Sequence, residues 1–269
     1  MERLAVVMMA GAVLAGSGLM LTGTATAVTP PAAPTAVPGG ASMGTAAQAA
    51  PRRPYRATDR FAREFSRHGD RDASAYDIEH VRELQYRLRW ADAYRGPISG
   101  IFGDRTRDAV KTFQKRAHLK VTGTANVRTW QRLIPRTVRG RGAVPDRCHL
   151  RNGWHICYDR TRHQVTLWRR GKLWNSWLVR GGDYYYATRT GHFSVFSRDR
   201  DHISGLFGSP MPYSQFFSGG QAFHGSGLML DPFVDHSHGC VNMYIEDAHQ
   251  LWRLTSTARL KVHVYGAWD

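Results

Sequence analysis

Several kinds of residue are scarce in this 269-residue sequence, and each shortage removes a possibility. Cysteine occurs three times, at 148, 157 and 240. In an exported chain an odd count leaves one thiol to pair elsewhere or to act as a reactive group. Acidic side chains number 21 against 37 basic ones, a formal net charge of +16. That balance favours a polyanionic partner without choosing among nucleic acid, an anionic membrane and an anionic polymer. Lysine supplies five of the basic residues and arginine 32, so the excess is equally well read as the imprint of genome base composition. Beyond residue 27 no apolar run is long enough to cross a bilayer.

What is present is globular in character. Hydrophobic residues make up 42% and charged residues 22%, which excludes wholesale disorder, and the length predicts two domains. Arg3, the apolar run Leu4 to Leu21 and the small-x-small triplet Ala25-Thr26-Ala27 have the form of a secretory signal over 1–27. The chain is therefore expected to be exported, with an uncleaved, membrane-anchored form left open because the run is just long enough to span. Export sets genomic DNA aside, so no nucleic-acid partner is expected.

Residues 28–50 are Pro, Ala, Thr and Gly, too poor in large apolar side chains to fold, and 51–75 continue as a basic linker. Phe61 to Phe65 are expected to form a short helix. Over 76–136, helical spacing recurs three times: Val81, Leu84 and Leu88; Ala109, Val110 and Phe113 after a cap at Asp104; Trp130 and Leu133 after a cap at Asn126. Leu84-Gln85, Gly96-Pro97, Gly100-Ile101-Phe102-Gly103, Phe113-Gln114, Val121-Thr122-Gly123 and Thr129-Trp130 resemble the peptidoglycan-binding domain 1 family. The resemblance implies a small three-helix domain that binds cell-wall peptidoglycan.

After a linker at 137–146 the pattern turns extended. Trp154 to Tyr158, Gln164 to Trp168, Leu173 to Val179 and Gly191 to Ser197 are rich in β-branched and aromatic residues, as is the closing alternation Leu260, Val262, Val264. One helix is expected at about 245–255. The region 147–269 thus reads as mainly β, and the fold class as α+β in two domains.

Cys148 and Cys157 flank Asn152-Gly153, a strong hairpin signal. A disulfide closing that loop would contribute about 2–3 kcal/mol, two buried free cysteines being the alternative. Cys240 lies in Ser237-His238-Gly239-Cys240-Val241-Asn242. A thiol is largely protonated at neutral pH and needs a base to attack a carbonyl, and His224 in Phe223-His224-Gly225 is the candidate. The amides of Gly239 and Cys240 could donate to a developing oxyanion. Two other readings stay open on spacing alone. Asp235, His236, His238 and Cys240 recur in a pattern that zinc can use, and Cys240 can be an inert buried thiol.

Residues 224–242 resemble the signature of the YkuD-type L,D-transpeptidase catalytic domain: a histidine, some 15 residues, then Ser/Thr-His-Gly-Cys, a hydrophobic residue and Asn or Arg. Thr188-Arg189-Thr190-Gly191 is similar to the family's Thr-Pro-Thr-Gly, with Arg189 in place of proline, and Met211-Pro212-Tyr213 and Gly219-Gly220 extend the match. The resemblance implies Cys240 as nucleophile, His224 as general base, the Gly225 carbonyl as orienter of the imidazole, and His238, Gly239 and Cys240 around the oxyanion. It places Ser237 and Asn242 as scaffolding near the substrate and Tyr213, in a loop over 199–217, against the acyl-donor pocket. It implies 3→3 cross-linking of tetrapeptide stems without metal or organic cofactor, with peptidoglycan, and anionic wall polymers beside it, as partners. An L,D-carboxypeptidase and a non-catalytic wall-binding protein are the alternatives.

Overall fold

The computed structural model describes residues 56–139 and 144–267. The expected signal at 1–27, the stretch 28–50 and the start of the basic linker lie outside the described residues. The fold is α+β. Helices α1 (Val81–Trp90), α2 (Asp104–Arg116) and α3 (Val127–Arg139) come first, and the strands follow. No helix among the described residues is long and apolar enough to cross a membrane.

The three helices follow the 3.6-residue spacing of their apolar positions. Val81, Leu84, Leu88, Val110, Phe113, Trp130 and Leu133 meet in one core with Phe102. Two glutamines satisfy the connecting turns. Gln85 accepts from the Gly100 amide at 3.0 Å and donates to the Ile101 carbonyl at 3.1 Å. Gln114 accepts from the Thr122 amide at 2.9 Å and donates to the Thr124 carbonyl at 2.8 Å. Buried backbone groups need such partners. Asn126 Oδ1 accepts from the Thr129 amide at 3.0 Å, at the entry to α3. Asp104 does not cap α2: Gly103 holds the cap position and Asp104 is the first helical residue, where its charge suits the helix dipole.

The second part has two sheets. Strands β1 (Trp154–Asp159), β2 (Gln164–Arg169), β3 (Lys172–Leu178), β4 (Gly191–Ser194) and β9 (Leu260–Tyr265) lie in the order β3-β2-β1-β9-β4. Strands β5 (Ser197–Ile203), β6 (Pro210–Ser218), β7 (Gln221–Gly225) and β8 (Val241–Met243) lie in sequence order. The core holds Ile156, Leu167, Trp177 and Val262 of the first sheet and Phe217, Phe223 and Val241 of the second, with Ala248 and Leu251 of helix α4 (Ile245–Thr255).

Four expectations are corrected here. Residues 61–65 form no helix, because the segment bonds outward: Phe61 N–H donates to Trp174 O at 3.0 Å, and beside it the Arg60 side chain donates from Nε to Leu173 O at 2.6 Å. The stretch 191–197 is not one strand. Val195 N–H bonds Leu260 O at 2.9 Å and Phe196 N–H bonds Phe216 O at 3.0 Å, so the chain passes from one sheet to the other between them. Residues 199–217 are not a loop but most of the β5–β6 hairpin. Asn152-Gly153 makes no hairpin; β1 turns into β2 after Asp159, and Asn152 Oδ1 instead lies 2.8 Å from His155 Nε2. Cys148 and Cys157 are joined by a disulfide that ties a short 3-10 turn, Asp146–His149, to β1.

Strand β3 is an edge, and edges left bare invite mispairing. Here its carbonyls are covered. Ser176 O accepts from Arg63 Nη2 at 2.7 Å and from Arg87 Nη2 at 2.9 Å. Both guanidiniums also bind Glu83, at 2.8 and 2.7 Å, in a fully buried cluster. Burial alone would push the Glu83 carboxyl up, but the charges of Arg63 and Arg87 reverse this and hold it down at about 2. The described residues all belong to one compact unit, so the helical part is fixed to the β part rather than tethered.

Candidate active site

Strand alternation assembles the candidate site. β7 and β8 run parallel with His224 opposite Asn242, so these two side chains share a face. Cys240, two residues before Asn242, lies in the bend just before β8 and lines the same cleft as both. That cleft, of about 760 Å3, is lined by Cys240, His224, Asn242, Gln221 and Arg180 among others. Its surround is aromatic and aliphatic. Tyr76, Tyr185, Leu206, Phe207 and Leu228 all line it and are exposed, Leu206 at 89% and Tyr185 at 86%.

The electrostatics favour a neutral resting pair. His224 Nδ1 lies 2.8 Å from the Gly225 carbonyl oxygen. A carbonyl only accepts, so Nδ1 carries the proton and Nε2 keeps a lone pair. Burial lowers the His224 pKa to about 4, and the bond to Gly225 only partly opposes this. Cys240 is the free cysteine, half-buried. Burial pushes its thiol up, with an N–H from Ala222 working against it, and the thiol donates to Gly220 O at 3.5 Å. The sulfur is therefore stored protonated, and the imidazole that lines the same cleft is stored as free base.

The turn before the sulfur is built from named bonds. Ser237 Oγ donates to Cys240 O at 2.6 Å and accepts from the Gly239 amide at 3.0 Å. Gly239 has φ of 113°, and a side chain there would meet Gln221 Nε2 at 2.5 Å. Thr188 Oγ1 donates to Gly239 O at 2.9 Å, and the Arg189 amide donates to Gln221 Oε1 at 2.9 Å. The Thr188-Arg189 segment thus braces the cysteine loop, and arginine in place of proline leaves an amide able to make that second bond.

The remaining expected residues fall as follows. Gly225 meets the imidazole. Gly239 lies beside Cys240, but its amide is already given to Ser237. The His238 ring makes ring contacts, stacking on Phe207 at 4.5 Å and meeting Tyr186 at 5.4 Å. Tyr213 is absent from the cleft lining, a correction: it stacks on His249 at 4.8 Å and packs against the core, because its strand turns that side chain away from the sulfur. Among the described residues a three-ligand group forms at His80, Glu83 and Asp247, where Arg63 and Arg87 already hold Glu83, and not at His236, His238 and Cys240. Sequence reasoning missed Arg180, Gln221 and Tyr76. Only Arg180 left a signal, a charge ending the apolar run Leu178-Val179.

Comparison with known proteins assigns both parts. Residues 153–264 match the family model of the L,D-transpeptidase catalytic domain, and residues 78–133 that of the putative peptidoglycan binding domain. The chain is 41% identical over 59 residues to a spore cortex-lytic enzyme of Bacillus cereus, covering 22% of this chain. The chain spans 23% of the length of that curated relative. Solved structures that it resembles include an L,D-transpeptidase of Stackebrandtia nassauensis, at 24% identity and TM-score 0.46 over 78% of this chain and 97% of that one. Another is an L,D-transpeptidase of Xylanimonas cellulosilytica, at 23% identity and TM-score 0.41 over 76% and 98%.

Proposed function

We propose that this chain is an exported peptidoglycan L,D-transpeptidase that forms 3→3 cross-links between tetrapeptide stems. The observation that carries the reading is a free Cys240 thiol opening on the same cleft as His224, whose carbonyl-bound Nδ1 leaves Nε2 as a base. In the first half-reaction Cys240 Sγ gives its proton to His224 Nε2 and bonds to the carbonyl carbon of the third, diamino residue. The oxyanion is received by the amides of Cys240 and His238, since the Gly239 amide is spent on Ser237. The C–N bond breaks, His224 returns the proton to the leaving amine, and D-alanine departs. In the second half-reaction the side-chain amine of another stem attacks the thioester, His224 takes its proton, and the thiolate leaves and is reprotonated. A thiolate serves both steps as nucleophile and leaving group. These steps call on no metal or organic cofactor.

The helical part, seated on the β3 edge, keeps the cleft beside the wall it binds. Tyr76, from the segment before α1, joins the cleft lining. The +16 charge draws the exported protein to an anionic envelope. The test is incubation of purified protein with a tetrapeptide stem and an amine-bearing acceptor stem. Cross-linked dimer supports transfer. Tripeptide with no dimer means water is the acceptor and the enzyme is an L,D-carboxypeptidase. Neither product means the wall-binding role stands alone.

A further inference from the structure

Arg180 has no part in the chemistry above, yet its position is costly. It follows β3, lines the cleft and is 4% exposed. Its guanidinium donates to two main-chain carbonyls, Leu228 O at 3.2 Å and Asp231 O at 3.0 Å, while its buried Nε has no hydrogen-bond partner. Among the described residues no carboxylate forms an ion pair with it. The Asp231 carboxylate is engaged elsewhere, accepting from Tyr86 Oη at 3.0 Å and lying 3.8 Å from Arg82 Nε. Burial lowers the arginine's pKa, and the charges of Asp235, which is exposed, and of Asp231 offset only part of this, neither carboxylate reaching ion-pair distance. A buried cation with no carboxylate in contact is expensive, and in a cleft it marks a site for one.

The surroundings agree. Among the described residues no aspartate or glutamate lines the cleft; its other chargeable nitrogen side chains are Arg189, His224, His236 and His238. The Arg180 backbone is pinned to the site by two bonds to Asn242, at 2.9 and 2.8 Å, and Asn242 stands opposite His224 on the next strand.

We propose that Arg180 binds a carboxylate of the donor stem, so that the cleft accepts stems with a free carboxylate near the scissile bond and discriminates against the corresponding amides. A guanidinium suits this task because its planar fork of donors matches a carboxylate. The inference rests on Cys240 acting as the acyl-enzyme nucleophile. A tetrapeptide stem offers two such groups, the terminal carboxylate of the leaving residue and the free carboxylate of the third, diamino residue.

Acylation of full-length protein by three stems separates them: the unmodified stem, its C-terminal amide, and the stem amidated on the third residue. Thioester formation on Cys240 is followed by intact mass spectrometry. At least one amide is expected to react about ten- to hundred-fold more slowly in kcat/KM, the range of a lost charge-assisted hydrogen bond. The slow amide identifies the carboxylate bound. Arg180→Gln is expected to bring that ratio toward one, and Arg180→Lys to retain part of it. Equal rates for all three stems on the unsubstituted protein overturn the proposal, even if the variants fail to fold. So does an unchanged preference in Arg180→Gln. If no stem acylates Cys240 while iodoacetamide still alkylates it, the transpeptidase reading itself falls and takes this inference with it.

Discussion

His224 Nδ1 and the carbonyl oxygen of Gly225 lie 2.8 Å apart, and that contact between neighbouring residues fixes the imidazole's tautomer. The nitrogen left without a proton is Nε2, the one able to serve a thiol. Replacing His224 with glutamine keeps an amide of similar reach but no base. Thioester formation is expected to fall by about 10²- to 10⁴-fold, measured as kcat/KM with a tetrapeptide stem, while the circular dichroism spectrum stays unchanged. Retention of more than a tenth of the activity removes His224 as the base.

The pH dependence follows from how the pair is stored. Burial holds His224 down at about 4, so the base is available over the whole range above that. The acid limb of kcat/KM is expected near pH 4, not near the 6.5 of an ordinary histidine. Burial raises the Cys240 thiol, so iodoacetamide alkylation in the absence of substrate should keep rising beyond pH 9. An alkylation plateau at neutral pH means a preformed thiolate and contradicts the neutral pair.

His80, fully buried, lies 3.2 Å from Asp247 at the contact between the helical and β parts. Burial disfavours its charge, but the Asp247 charge and hydrogen bond outweigh that and raise it to about 9. A folded-state value above the unfolded 6.5 means stability fully present below pH 6.5 and lost as pH rises through 9. Melting temperature should decline over that window in the natural protein and less so in His80→Asn. Nearby, Glu83→Gln leaves Arg63 and Arg87 buried without their anion, at an expected cost of about 3–5 kcal/mol in urea unfolding.

The Cys148–Cys157 disulfide ties the 3-10 turn to β1 of the first sheet, whereas the cleft opens beside β7 and β8. The double substitution to serine should reduce unfolding free energy by about 2–3 kcal/mol and leave stem acylation within twofold. A large loss of activity in folded double variant would tie the bond to the site.

The helices and β1, β2, β3 and β9 were legible because apolar side chains repeat at 3.6 or 2 residues along them. The β5–β6 hairpin was not, because Ser197–Ile203 is polar and mostly exposed and shows no apolar alternation. β8, with three residues, is too short to show a period. Cys240 and His224 stood out by motif, and parallel pairing of β7 with β8 explains why residues so far apart in sequence share a face. Tyr213 was misplaced because an aromatic in a matched motif says nothing of which side of the strand it takes. Arg180 was passed over because the charge that ends the Leu178-Val179 run is one basic residue among 37, and only its burial sets it apart.

The proposed electrostatic attraction to the wall has its own check. Retention of the protein on purified sacculi should fall as salt rises from low to physiological strength and beyond, since exposed charges are screened within about 8 Å there. Retention independent of salt assigns wall binding to the helical domain without help from net charge.

The most direct measurement is the site of acylation itself. Protein mixed with a tetrapeptide stem, quenched in acid and digested, should yield a Cys240 peptide heavier by the tripeptide acyl group, and Cys240→Ala should yield none. An acyl group on another residue, or cross-linking that persists in Cys240→Ala, contradicts the account.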